Sequence, residues 1–122
     1  MTKENSLYSR CGGYEGIVTM TDGILGKIAE DRLFDIFTRG YSKDSMKRRR
    51  QLLIEFICQA FGGPVTYIGR DMKTAHYGAG IKEEHWNALV SHLNTVLDDM
   101  DLSRDIKNDV FGIVSSVKND IV

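Results

Sequence analysis

Three histidines, His76, His85 and His92, are the side chains of this chain best suited to hold a metal or move a proton near neutrality. His85 and His92 stand seven residues apart and so share a helix face, which permits a joint metal site in principle. With no carboxylate or cysteine set at ligand spacing beside them, they read better as core or surface histidines. His76 has a different setting. It ends the short polar segment Asp71-Met72-Lys73-Thr74-Ala75 and precedes Tyr77-Gly78-Ala79-Gly80, off any continuous apolar stripe. A helical piece that short gains order by binding something, and one neutral imidazole in apolar surroundings is what a five-coordinate haem iron takes on its proximal side. Taken alone, the residue reads more simply as a helix-terminal surface histidine.

Other chemistries find less support. There is no Ser-His-Asp order, paired-carboxylate motif or CxxC redox pair, so any catalysis would belong to a bound metal. Gly78-Ala79-Gly80 lacks both a preceding strand and the full GxGxxG spacing of a phosphate-cradling loop. Cys11 and Cys58 form neither CxxC nor CxxCH, which leaves out a zinc ribbon and thioether-attached haem and suggests two reduced structural thiols.

The elements that must position these residues are helices. The length, 122 residues, fits one domain, taken as 1–122. Composition is that of a soluble globular chain, and a single proline favours helices. Apolar positions from Glu15 to Phe37 predict one helix and, after Asp31, a shorter one, with Gly23 and Gly26 inside the first where another helix backbone could approach. Met46 to Phe61 gives the strongest pattern, with Arg49, Leu53, Phe56 and Ala60 on one stripe and Gly62-Gly63-Pro64 stopping it. Asp71 to Tyr77, Lys82 to Asp99, and about Ser103 to Ile121 complete four main helices with short connectors. Sixteen basic against 17 acidic side chains give no bulk attraction to nucleic acid. A polar N-terminus and no stretch near the roughly 20 apolar residues that span a bilayer predict a cytoplasmic protein with no membrane or nucleic-acid partner.

Gly12-Gly13, Phe37, Ala60-Phe61-Gly62-Gly63-Pro64, Tyr67, Gly69, Met72-Lys73 and His76, followed by Gly80-Ile81, together resemble the group I truncated haemoglobins over roughly the whole chain. The most specific stretch runs from Phe61 to His76. The resemblance implies an all-α fold, a two-over-two helical sandwich around non-covalent haem b. It places His76 as the proximal ligand and Phe37 as the haem-stacking phenylalanine. It also implies that Met72, Tyr67, Ile81, Trp86 and Leu89 line the haem while Leu53 and Phe56 face its distal side; plain core packing accounts for the same residues.

One departure stands out. The family's usual distal tyrosine aligns with Leu25, or with Ile24 if the register shifts by one, and its frequent glutamine with Arg49, followed by Leu52 and Leu53. The distal pocket then reads as aliphatic. Loss of a hydrogen bond to a polar gas ligand, worth roughly 1.5–3 kcal/mol, predicts fast oxygen dissociation and easier autoxidation. Burying an unpaired guanidinium is costly, so Arg49 suits a haem propionate at the pocket edge, with Arg50, Lys47 or Arg70 as further candidates; a solvated basic face explains them equally. No histidine lies between Leu102 and Val122 to tether haem covalently, so the group should be extractable.

Three functions follow. The first is reversible binding of O2, CO or NO for transport or sensing, by a monomer or weak dimer. The second is NO dioxygenase or peroxidase-like chemistry served by a reductase, against which the missing tyrosine counts. The third is a haem-free helical interaction module.

Overall fold

The structure, a computed structural model, describes residues 6–122, and every element among them is helical. The reading of the polar N-terminus rests largely on residues 1–5, which lie outside the described residues. In chain order the helices are α1 (Leu7–Arg10), α2 (Gly13–Glu30), α3 (Asp35–Thr38), α4 (Lys43–Ala60), α5 (Met72–His76), α6 (Glu83–Asp99), α7 (Arg104–Ser116) and α8 (Lys118–Ile121). A 3-10 turn, Arg32–Phe34, leads into α3. The four long helices are those the periodicity predicts.

The short α1 is absent from the sequence reading because four residues carry no period. It is held from outside: Ser6 caps it by accepting from the Ser9 N–H, and the Tyr8 N–H donates to the Phe61 carbonyl at 2.9 Å. The corner into α2 requires glycine twice, since Gly12 sits at φ +101 and a Cβ on Gly16 would fall on the Cys11 carbonyl.

α2 packs on both α4 and α6. Ile17, Met20 and Ile24 of α2 meet Ile54 and Cys58 of α4, Leu93, Val96 and Leu97 of α6 and Val110 of α7 in one core. Each full burial of such a side chain contributes about 1.5–3 kcal/mol. The Thr21 hydroxyl, wholly buried there, is satisfied by donating to the Ile17 carbonyl at 2.8 Å.

Three expectations are amended. α4 begins at Lys43, not Met46, because Ser42 caps it by accepting from the Ser45 N–H at 3.1 Å; that polar first turn has no apolar period to read. The Lys47-Arg48-Arg49-Arg50 run therefore starts a full turn inside the helix, beyond the reach of the dipole's positive end. The last helix is interrupted at Val117, leaving α8 as a separate turn. Of the two mid-helix glycines, Gly23 faces the Val96 side chain of α6, while a Cβ on Gly26 would meet nothing within 4 Å.

No helix among the described residues is long and apolar enough to cross a membrane.

Candidate functional site

α5 is too short to persist on its own, and it packs against α8. That contact answers what holds the segment. α8 is tied in turn to the start of α6 by an ion pair between Lys118 and Glu83. At the end of α5 the half-buried His76 places Nδ1 2.8 Å from the Met72 carbonyl oxygen. A carbonyl only accepts, so Nδ1 carries the proton, and in the neutral ring Nε2 keeps its lone pair. The ring is thus oriented, with its tautomer fixed, in the manner of a metal-ligating histidine.

The other two histidines are engaged elsewhere. His85 is buried and its Nδ1 accepts from the Lys82 N–H at 2.9 Å, fastening the first turn of α6. His92 Nε2 lies 2.8 Å from Asp31 Oδ2. Among the described residues no three His, Cys, Asp or Glu side chains gather to hold a free metal ion.

Several of the apolar side chains expected at the site stay outside the sealed core. Leu25 on α2, Leu52, Leu53 and Phe56 on α4, Met72 on α5, and Tyr67 and Ile81 in the flanking loops are all half-buried. Of the two positions left open by the sequence for the distal residue, Ile24 is in the core and Leu25 is half-buried. Phe56 meets Tyr67 edge to face at 5.3 Å. Tyr67 is fixed at both ends: its N–H donates to Gln59 Oε1 at 2.6 Å and its hydroxyl to the Arg70 carbonyl at 2.5 Å. Trp86 is buried, whereas Leu89 packs half-buried against the core.

Phe37, also half-buried, lies edge-on to His85 at 4.9 Å, and the Phe34 ring packs at a tilt against both, at 6.4 and 6.1 Å. The Arg49 guanidinium donates to the Phe37 carbonyl at 3.2 Å and sits 3.7 Å above the Tyr41 ring. Arg50 is committed to Asp22 by two bonds of 2.6 and 3.0 Å, clamping α4 to α2 one turn from Leu53 and from Leu25. This bond holds the Asp22 carboxyl below the usual carboxylate range. Lys47 and Arg70 are exposed.

Residues 6–122 match the bacterial-like globin family. The chain belongs to that family. A group 1 truncated haemoglobin of Chlamydomonas moewusii is 29% identical over 119 residues, covering 96% of this chain and 68% of that one. The 2/2 haemoglobin of Synechococcus sp. PCC 7002, in the cyanomet state and with covalently attached haem, shares the fold at a TM-score of 0.84 and 30% identity, covering 95% of this chain and 97% of that one. The Fe(III) form of the truncated haemoglobin from Tetrahymena pyriformis gives 0.87 at 19% identity, over 97% and 98%; at that identity the likeness is one of fold. The two-over-two truncated globin architecture is therefore the one this chain adopts.

For this globin the sequence reading missed Tyr41, which holds Arg49, Gln59, which braces Tyr67, and Phe34, which packs against Phe37; it reads His85 as a core or surface histidine without showing its contact with Phe37. Tyr41 lies between Gly40 and Ser42, where no period exists, and the others carry ordinary helical or loop patterns.

Proposed function

We propose that this globin binds haem b non-covalently through Nε2 of His76 and takes up a diatomic gas, O2, CO or NO, reversibly on an apolar distal side. The observation that supports it most is the Nδ1–H of His76 donating to the Met72 carbonyl, which leaves the outer nitrogen as a fixed donor.

The residues suit the group. A porphyrin needs a wide apolar surface, one axial donor and cations near its two carboxylates. Leu25, Leu52, Leu53, Phe56, Met72, Ile81 and Phe37 supply half-buried apolar surface from several elements. Arg49 and Arg70 are exposed cations within the site's residues, while Arg50, already bound to Asp22, is less available for a propionate. When bound, haem supplies an iron centre that takes small gas ligands. The chain's part is to orient the His76 ring, exclude water with Leu25, Leu53 and Phe56, and offer no side-chain hydrogen-bond donor from Leu25. That last feature favours plain binding over oxygen-activating catalysis.

Haemin titration followed by ultraviolet–visible and resonance Raman spectroscopy of the ferric, ferrous and CO forms tests the proposal. His76→Gly should lose haem absorbance and regain it with free imidazole. A chain that stays colourless with haemin, or His76→Gly that keeps the parent spectrum, would overturn it.

A further inference from the structure

The chain's charge is unevenly laid out. Residues 32 to 50 carry seven cations, Arg32, Arg39, Lys43, Lys47, Arg48, Arg49 and Arg50, against two carboxylates, Asp35 and Asp44; the remainder holds nine cations against 15 acids. Five of the chain's eight arginines fall in this stretch. Arg50 is paired with Asp22, and Arg49 is held by Phe37 and Tyr41. Among the described residues, Arg32, Arg39, Lys43, Lys47 and Arg48 form no ion pair.

The same stretch exposes apolar side chains that folding would ordinarily cover. Ile36 is 62% exposed, Tyr41 47% and Met46 37%. They lie on neighbouring segments: Arg49 joins the Phe37 carbonyl to the Tyr41 ring and stands one helical turn after Met46 on α4, while Ile36 precedes Phe37 on α3. A surface pocket of about 290 Å³ lined by Asp35, Thr38 and Arg39 opens in this stretch.

We infer that this face, Ile36, Tyr41 and Met46 ringed by Arg39, Lys43, Lys47 and Arg48, is a docking surface for a soluble electron-donor protein that presents a carboxylate-rich face. The choice of a protein follows from composition. Arginine, tyrosine and methionine are enriched at protein interfaces and lysine is depleted, and the planar guanidinium matches a carboxylate with two parallel bonds. An anionic lipid surface attracts lysine and arginine alike and favours a continuous apolar helix face, whereas these three apolar residues are interrupted by charges. Complementary charge would speed encounter and make it salt-dependent. That the partner is an electron donor rests on the haem reading, since Phe37 and Arg49 of the candidate site lie in the patch.

The test is nuclear magnetic resonance of the isotope-labelled chain, with and without haemin, titrated with a purified acidic flavodoxin. Parallel titrations use vesicles of equal parts phosphatidylserine and phosphatidylcholine, and a short DNA duplex. Flavodoxin should shift amides within residues 36–50, with affinity falling about tenfold or more between low and physiological salt. The double variant Lys43→Glu, Arg48→Glu and the single Ile36→Ser, all at exposed positions, should each weaken binding about tenfold while leaving the remaining spectrum unchanged. Absence of flavodoxin binding, shifts outside the patch, tighter binding to vesicles or DNA, or self-association through these residues in sedimentation would overturn the inference. A chain that refuses haemin yet binds flavodoxin at the patch would sink the haem reading and leave the docking surface standing.

Discussion

Asp31 and His92 join the end of α2 to the middle of α6 through a 2.8 Å contact, and the other oxygen of the same carboxylate accepts the Leu33 N–H at 3.0 Å. The backbone N–H of Asp31 closes α2 by donating to the Ile28 carbonyl, while its side chain opens the 3-10 turn that leads to Phe37 and fixes that turn against α6.

This double use has a pH signature. The contact with His92 first, and the Leu33 N–H second, hold the Asp31 carboxyl below the usual carboxylate range. A depressed folded value means that the stabilisation is fully present above the unfolded value of about 3.9 and is lost as pH falls through the lower folded one. Asp31→Asn should thus be less stable than the parent at pH 6 in urea unfolding, with the gap closing near pH 3, both chains measured in the same haem state. A gap that persists in acid would show that the ionised carboxylate is not what matters.

The Leu25 position carries a second prediction. Leu25 is half-buried on α2 beside the core residue Ile24, so a tyrosine there can lay its ring along existing apolar surface and extend a hydroxyl. A new hydrogen bond to a polar gas ligand is worth roughly 1.5–3 kcal/mol, so Leu25→Tyr should slow oxygen dissociation about 10- to 100-fold in stopped-flow measurements while changing CO dissociation little. Equal effects on both gases would point to steric blockage instead.

Much of this was legible in residues whose surroundings are local. Four long helices follow from apolar period, but on α4 the stripe of Arg49, Leu53, Phe56 and Ala60 is not the face that enters the core: Ile54 and Cys58 are buried there, while Arg49 is exposed and Leu53 and Phe56 are half-buried. His76 is picked out by being off-pattern. What stays hidden depends on partners far along the chain: Tyr41 under Arg49, Asp22 on Arg50, α8 behind α5. Nothing in the sequence shows that Arg50, one of the cations suggested for a propionate, is clamped to Asp22. α1 and the break at Val117 escape for a related reason, since pieces of four residues are shaped by what they touch.

The two thiols give a third prediction. Burial pushes the Cys11 thiol up to about 11 and raises that of Cys58 as well. The thiolate is the reactive form, so at pH 8 neither sulfur is an available nucleophile, and both are packed in the core. Ellman's reagent should find no fast-reacting thiol in the native chain and two after unfolding in urea. A fast native reaction would mean that the α1 corner opens readily.

Gly23 and Gly26 share a helix and a helix-propensity cost of about 1 kcal/mol each relative to alanine, yet their surroundings differ. A Cβ on Gly23 would stand 3.1 Å from a methyl of Val96, a buried core residue that cannot move without disturbing Leu93 and Leu97. Crowding of that kind costs about 1–3 kcal/mol and offsets or exceeds the propensity gain. Gly26 has open space, beside a groove that it lines with Lys27, Glu30 and Met100. Gly26→Ala should therefore stabilise the chain by up to about 1 kcal/mol, and Gly23→Ala should leave it unchanged or less stable, as read from urea midpoints at equal slopes. If the two substitutions stabilised equally, α2 and α6 would not be in the close contact that sets one wall of the core. If Gly26→Ala destabilised, the groove beside it would have to be closer-packed than its open backbone indicates.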